Sequence, residues 1–288
     1  MRPPTALSIA ESDPTGIAGL GADLTAFAAL GVHGAGVVTS IAAPTPGGRR
    51  AQPLDGALVA AQLSAALDAM PLDATKIGAL GTAGTVTAVA EVLSARRGEL
   101  GRVVLDPVML QDGEAVMTAE GAEALRRLVL PLAHVLTPNL HEAAQLLGVA
   151  LAETVEDMHD QARALQDLGV PVVVVTGGAR HGDEAVDVVA HPGGVDVLRT
   201  ERIDSPNTAG AGDTLSAAIA AQYARIAEFS RAGELDEIGE AGDADDDVTV
   251  VASACEFLAS AIENAAGWEL VRAPRRGPVN HLITLDRD

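Results

Sequence analysis

Residues 207–214 read NTAGAGDT and run directly into the apolar stretch LSAAIAA. Gly210 and Gly212 allow the main chain conformations closed to other residues and let it approach a ligand closely. The amides from Ala211 to Asp213 would then sit at the positive end of the following helix, where an anion is favoured. A carboxylate there has two readings. Asp213 is either an N-cap worth ~1 kcal/mol, or a general base that takes a proton from an alcohol while the amides stabilise charge on a transferring phosphoryl group. The loop by itself leaves both open.

Other segments bear on that choice. LTPNLHEAAQLLG places Asn139 and Glu142 three residues apart where a strand meets a helix. The pair suits a capping box or an oxygen-ligand site for hydrated Mg²⁺ and nucleotide phosphates, with Asp106 of LDPV joining it, since Mg²⁺ prefers few carboxylates and several waters. VVVTGG ends a β-branched run with Thr176, Gly177 and Gly178, where a hydroxyl and free amides can meet phosphate oxygens, although a glycine pair after a strand is ordinarily a turn. No GxxxxGK[ST] stretch occurs, which excludes a P-loop enzyme at the level of motif.

The elements that must hold these residues follow from the pattern of apolar positions. Short β-branched runs alternate with longer Ala/Leu-rich segments of helical period: TALSIA before GLGADLTAFAALG, TKIGAL before GTVTAVAEVLSARR, RVVLDPV before AEGAEALRRLVL. Such alternation predicts a mostly parallel sheet covered on both faces, because parallel strands need crossovers of helix length. AVDVVAHPGGVDVLRTERI departs from the rhythm and predicts a hairpin. Two helices are expected over about 211–227 and 248–266. No Pro/Gly/Ser-rich linker divides the chain, so residues 1–288 are expected to form one domain. In open α/β sheets ligands bind beyond the carboxyl ends of the strands, and Glu11, Asp13, Asp106, Asn139, Thr176 and the Gly210–Asp213 loop all fall there.

Composition narrows the function classes. Nineteen basic against forty acidic side chains give a net charge of −21, which repels phosphate backbones and anionic lipid; no nucleic-acid or membrane partner is expected. Nine acids against one arginine lie in 228–247, predicting a solvated, flexible acidic insertion. Only 2% of residues are aromatic, so the core must be built from Ala, Val and Leu. The single cysteine, Cys255, lies in the apolar pattern VVASACEFLASAI and reads as a buried helix residue. No signal-peptide pattern opens the chain and no apolar run approaches ~18 residues, so a cytoplasmic, soluble protein is expected.

Taken together, ALSIAESDPTGIAGLGADLTAFAALG, TKIGAL, VVLDPVML, LTPNLHEAAQLLG, VVVTGG, NTAGAGDTLSAA and GPVNHL resemble the ribokinase-like superfamily, and within it the hydroxymethylpyrimidine and phosphomethylpyrimidine kinases of thiamine synthesis. The segments occur in that family's order and span roughly residues 5–227 and 250–283. The resemblance implies a three-layer α/β/α sandwich that uses ATP and Mg²⁺ to phosphorylate a primary alcohol on a small heteroaromatic ring, and a homodimer. It implies that Asp213 is the base and that Gly210, Ala211 and Gly212 form the anion hole. Asn139 and Glu142 would organise Mg²⁺ and phosphates, with Asp106 near the metal. Thr176, Gly178 and Thr208 would lie along the ATP. Glu11, Asp13, Gly19, Asp23, Pro44, Ala79 and Val108 would surround the substrate.

The chain departs from that subfamily on the substrate side. Asp213 stands where Cys is usual, as in sugar kinases and many pyridoxal kinases. Glu11, Pro44 and Ala79 stand where Gly, Gln and Met are usual, and QDGE replaces AKSG after VML. Losing a Gln amide removes a donor and acceptor suited to a pyrimidine edge. Glu11 is expected to supply a replacement polar contact, or else to face solvent, and Ala79 to open room for a different or larger ring. The alternative reading is a pyridoxal kinase; a third is a binding protein that kept the fold without catalysis.

Overall fold

The computed structural model describes residues 2–45, 48–111, 113–178, 182–232, 244–272 and 276–284. Its elements follow in chain order: β1 (Thr5–Ser12), α1 (Gly19–Ala29), β2 (His33–Thr45), β3 (Gly48–Pro53), α2 (Gly56–Ala69), β4 (Ala74–Ile77), α3 (Ala83–Ala95) and β5 (Arg102–Leu105). A two-strand ribbon of β6 (Leu110–Gln111) and β7 (Glu114–Ala115) precedes α4 (Ala119–Ala124) and β8 (Val135–Leu136). Then come α5 (Leu140–Leu147), α6 (Val155–Gln166), β9 (Val172–Thr176), β10 (Glu184–His191), β11 (Gly194–Glu201), α7 (Ala211–Ala232) and α8 (Ala244–Glu263).

Nine strands form one sheet in the order β11-β10-β9-β8-β5-β4-β1-β2-β3. The six strands from β9 to β2 pair in parallel, while β3, β10 and β11 add antiparallel edges. The expected hairpin is β10–β11, turning at His191 and Gly194. The β2–β3 hairpin was not evident in the sequence: GRRAQP has no apolar period, and as the edge strand its side chains need none.

Both faces of the sheet are covered, as continuous apolar strands require. Alternate residues of one strand enter different layers. Leu7, Ile9, Val173 and Val175 pack with α2, α3, α5 and α6, whereas Ala6, Val172 and Val174 pack with α1, α7 and α8. The second layer is lined by Ala217, Ala218, Ala220, Ala221 and Ala224 of α7, all fully buried, so α7 lies close against the sheet. This places its N-terminus at the carboxyl ends of β4 and β5.

The acidic run differs from a solvated insertion at its ends. Residues 228–232 continue α7 and 244–247 begin α8; 233–243 lie outside the described residues. Asp247, the last acid of the run, is buried, accepts from Tyr223 Oη at 2.6 Å and pairs with His134 Nε2 at 3.1 Å. Tertiary partners on α7 and before β8 thus override what charge density alone suggests. Cys255 is buried on α8 and donates to Asp187 Oδ2 at 3.7 Å; burial pushes the thiol well above its ordinary range.

Candidate active site

Local chemistry explains how the loop before α7 is shaped. Gly210 has φ +77°, and a Cβ there would sit 2.0 Å from the Ile17 carbonyl oxygen. Gly19, at the start of α1, has φ +57°, and a Cβ there would sit 2.4 Å from the Glu11 carbonyl oxygen. Both positions therefore require glycine; the first brings the β1–α1 loop against the head of α7, and the second folds that loop back on the end of β1. Thr208 contributes its carbonyl, which accepts from Ala211 N at 3.3 Å. One expected anion-hole amide is thus partly engaged, while those of Gly212 and Asp213 head the helix.

Asp213 is held at both oxygens. Gly19 N donates to Oδ2 at 3.0 Å, and Lys76 Nζ to Oδ1 at 3.0 Å. Lys76, on β4, is completely buried, and its ammonium also donates to both oxygens of Asp23 at 2.9 Å. Ser8 Oγ adds a 2.5 Å bond to Asp23 Oδ2. Burial opposes the charge on Lys76, but Asp23, Asp213 and Asp106 outweigh it and hold the ammonium well above the ordinary lysine range. Burial pushes the Asp23 carboxyl up to about 7, against the pull of Lys76. Asp23, expected beside the substrate, is fully buried with both oxygens taken and anchors the lysine that holds Asp213.

A second acidic pair lies beside this cluster. Asp106, after β5, accepts from Ser216 Oγ at 3.0 Å, and its Oδ2 lies 4.0 Å from where a Cβ on Gly212 would be. Asn139 and Glu142 form a complete capping box on α5, with Asn139 N donating to Glu142 Oε2 at 3.0 Å. Glu142 Oε1 accepts from Met109 N at 3.2 Å. The two sequence readings of this pair are thus compatible, because the capping geometry buries Glu142 close enough to feel Asp106. Burial first, then Asp106, pushes Glu142 up to about 8; burial and Asp213 push Asp106 up to about 6 although Lys76 draws it down. Asp106 thus raises Glu142 and Asp213 raises Asp106, and like-charge repulsion of this kind is what a divalent cation relieves. Among the described residues no group of three or more His, Cys, Asp or Glu could hold a metal.

The remaining expected residues divide. Thr176 bridges to Asn139, and its amide donates to the Pro138 carbonyl, so β9 ends beside the capping box. Gly178 is exposed, and its carbonyl accepts from Arg202 at 2.7 Å. Val108 and Ala79 are half-buried; Val108 N donates to Asp106 O, and the Ala79 carbonyl accepts from Thr39 Oγ1. Pro44 lies at the end of β2 opposite Arg49. Asp13 does not join the cluster: its carboxylate accepts from Thr15 N and Oγ1 within its own turn, as a short Asx side chain favours.

Glu11 does not face solvent. It is buried, accepts from Ser40 Oγ at 2.7 Å and is ion-paired with Arg49 of β3. The backbone of the hairpin is tied too, since Arg49 N donates to Glu114 Oε2 at 3.1 Å. Sequence reasoning did not single out Arg49, Ser8, Ser216 or Lys76 as site residues. The signal for Lys76 was present in TKIGAL: a lysine inside a strand buried on both faces requires an acidic partner.

Comparison with known proteins bears on the family and the fold. The family model for phosphomethylpyrimidine kinase matches residues 13–234. A hydroxymethylpyrimidine/phosphomethylpyrimidine kinase of Rhizobium meliloti is 38% identical over 96% of each chain. A pyridoxine kinase of Bacillus subtilis is 40% identical over 79% of this chain and 85% of its own. The structure of pyridoxal kinase from Staphylococcus aureus in complex with AMP-PCP and pyridoxal superposes with a TM-score of 0.82 at 32% identity, over 98% of this chain and 94% of that one. The fold is that of the ribokinase-like kinases, and the chain belongs to the phosphomethylpyrimidine kinase family.

Proposed function

We propose that the chain transfers the γ-phosphoryl group of ATP to the hydroxymethyl group of hydroxymethylpyrimidine or its monophosphate, a step of thiamine synthesis. The observation that carries the chemistry is the fixed carboxylate of Asp213, held by Lys76 and Gly19 at the head of α7. Asp213 accepts the alcohol proton as the alcohol oxygen attacks the γ-phosphorus and the bond to the ADP oxygen breaks. The Gly212 and Asp213 amides, with Ala211 once its weak bond to Thr208 yields, face the charge on the transferring group. Bound at Asp106, Mg²⁺ would supply neutralising charge for the phosphate oxygens, with Glu142 and Asn139 shaping that side. Thr176, Gly178 and Thr208 would line the nucleotide. Glu11, Gly19, Ala79, Val108 and Pro44 would bound the acceptor. A homodimer in the cytoplasm completes the reading; light scattering giving a single-chain mass would remove the dimer.

Pyridoxal is the second acceptor to weigh, because the pyridoxine and pyridoxal kinases above are as similar to this chain as the pyrimidine kinases, and it too carries a hydroxymethyl group on a nitrogen ring. Measuring kcat/KM for hydroxymethylpyrimidine and pyridoxal with ATP separates the two. At least tenfold preference for the pyrimidine is expected; the reverse preference assigns the chain to vitamin B6 salvage.

A further inference from the structure

The chain's last described segment is built into the catalytic loop. Ala209 forms a parallel bridge with Pro278, Ala209 N donates to Gly277 O at 3.0 Å, and Gly277 N donates to Pro206 O at 3.2 Å. Asn207, buried in the same loop, donates to the carbonyls of Ala265 at 2.5 Å and Trp268 at 3.0 Å. Asn280 N reaches back to Ala261 O on α8 at 2.9 Å. Residues 277–281 thus run alongside the loop that leads into α7 and deliver His281 to its first turn.

His281 is buried, and its Nε2 lies 2.8 Å from Thr214 Oγ1. The same hydroxyl oxygen lies 2.8 Å from the Gly210 carbonyl oxygen, which also accepts Thr214 N at 2.8 Å. A carbonyl can only accept, and two oxygens at that distance repel unless a proton lies between them, so the one hydroxyl proton points at Gly210. His281 Nε2 must then be the donor to Thr214, which assigns its tautomer from the network. Burial lowers the imidazole to about 4 although Asp213 draws it upward, so the ring is a neutral donor near pH 7.

We propose that His281 is a positioning residue of the anion hole: through Thr214 it fixes the Gly210 carbonyl, the first acceptor of α7, and thereby the direction of the amides that face the transferring phosphoryl group. The relay rests on the reading of residues 210–213 as the anion hole. The relay ends at the Gly210 carbonyl, so its loss should act on the chemical step rather than on ground-state binding.

The test is steady-state kinetics with ATP and the better of the two acceptors, together with thermal melting of each variant. His281→Leu and Thr214→Val should each lower kcat about ten- to hundredfold while KM for ATP and for the acceptor changes less than about threefold. The double variant should be no slower than the slower single one, because both break one relay. His281→Gln, which keeps an N–H donor, should recover most of the rate. A folded His281→Leu with wild-type kcat, losses confined to KM, or losses that multiply in the double variant would overturn the relay. Gly212→Ala separates the relay from the reading beneath it. If that change lowers kcat while His281→Leu does not, only the relay is wrong; if neither matters, the anion hole itself is misplaced.

Discussion

The two walls of the catalytic cleft are built differently. On the chemical side, Lys76, Asp23, Ser8 and Asp213 form a chain of short bonds whose inner members have no solvent exposure. On the side proposed for the acceptor, Glu11 is held by Ser40 and by Arg49, which arrives on an edge hairpin pinned at its backbone by Glu114. The first wall cannot lose Lys76 or Asp23 without stranding the other's buried charge. The second is an ion pair between a central strand and an edge strand, and both partners can be replaced together at low cost to the core. Reaction type should therefore be robust in this chain and acceptor choice adjustable.

Variants can break that contrast. The largest expected effect is on Asp213→Asn: losing a positioned base lowers kcat by ~10² to 10⁴. Near wild-type turnover would show that the carboxylate only caps α7. Next, Lys76→Met should destabilise by about 3–5 kcal/mol, because Asp23 is left buried and unpaired; Lys76→Met with Asp23→Asn should recover part of the loss in denaturant unfolding. If the single variant melts like the wild type, the chemical wall is not the rigid one. On the other wall, Glu11→Gln, alone or combined with Arg49→Ala so that no carboxylate is left buried and unpaired, should raise the acceptor KM about three- to tenfold, leave the ATP KM unchanged and shift Tm by no more than ~2 °C. An unchanged acceptor kcat/KM in both would detach the pair from specificity.

The smallest effect is on pH dependence. Glu142 is raised to about 8 and Asp106 to about 6, so between the ordinary carboxylate range and those values the folded state binds more protons than the unfolded one. These two groups consequently make stability fall as pH rises through that window. Glu142→Gln removes one of them, so the variant's Tm minus the wild-type Tm should increase from pH 5 to pH 8 by a few degrees, and added Mg²⁺ should stabilise the wild type more at pH 8 than at pH 5.5. A difference that is flat with pH would place the charge of Glu142 outside the acidic pair.

The contrast between the walls also explains what could be read from the sequence. Parallel strands, covering helices and the β10–β11 hairpin follow from apolar period and turn residues, which are local signals. Asp213, Asn139, Glu142 and Asp106 stand out in the sequence as candidates because they sit at strand ends beside glycines or at a helix cap. Asp23 falls in the helical run that forms α1, but its partner Lys76 was not evident. Its link to Lys76 spans 53 positions and depends on which residues of β4 face α1, and a four-residue strand with no polar alternation does not reveal that. The Glu11–Arg49 pair was hidden for a related reason: β3 carries no apolar pattern, so nothing local announces a strand that brings Arg49 to the end of β1. Charge density misled at Asp247, where the partners are His134 and Tyr223 rather than water.

The tie between Asn207 and Trp268 has an optical consequence. Trp268 is the chain's single tryptophan, accompanied by one tyrosine, and its carbonyl accepts directly from the loop that opens into Gly210. In most proteins several indoles blur the emission of any one site. Here the intrinsic fluorescence comes from one half-buried ring beside the catalytic loop, so its wavelength and quenching report the state of that loop with no added dye.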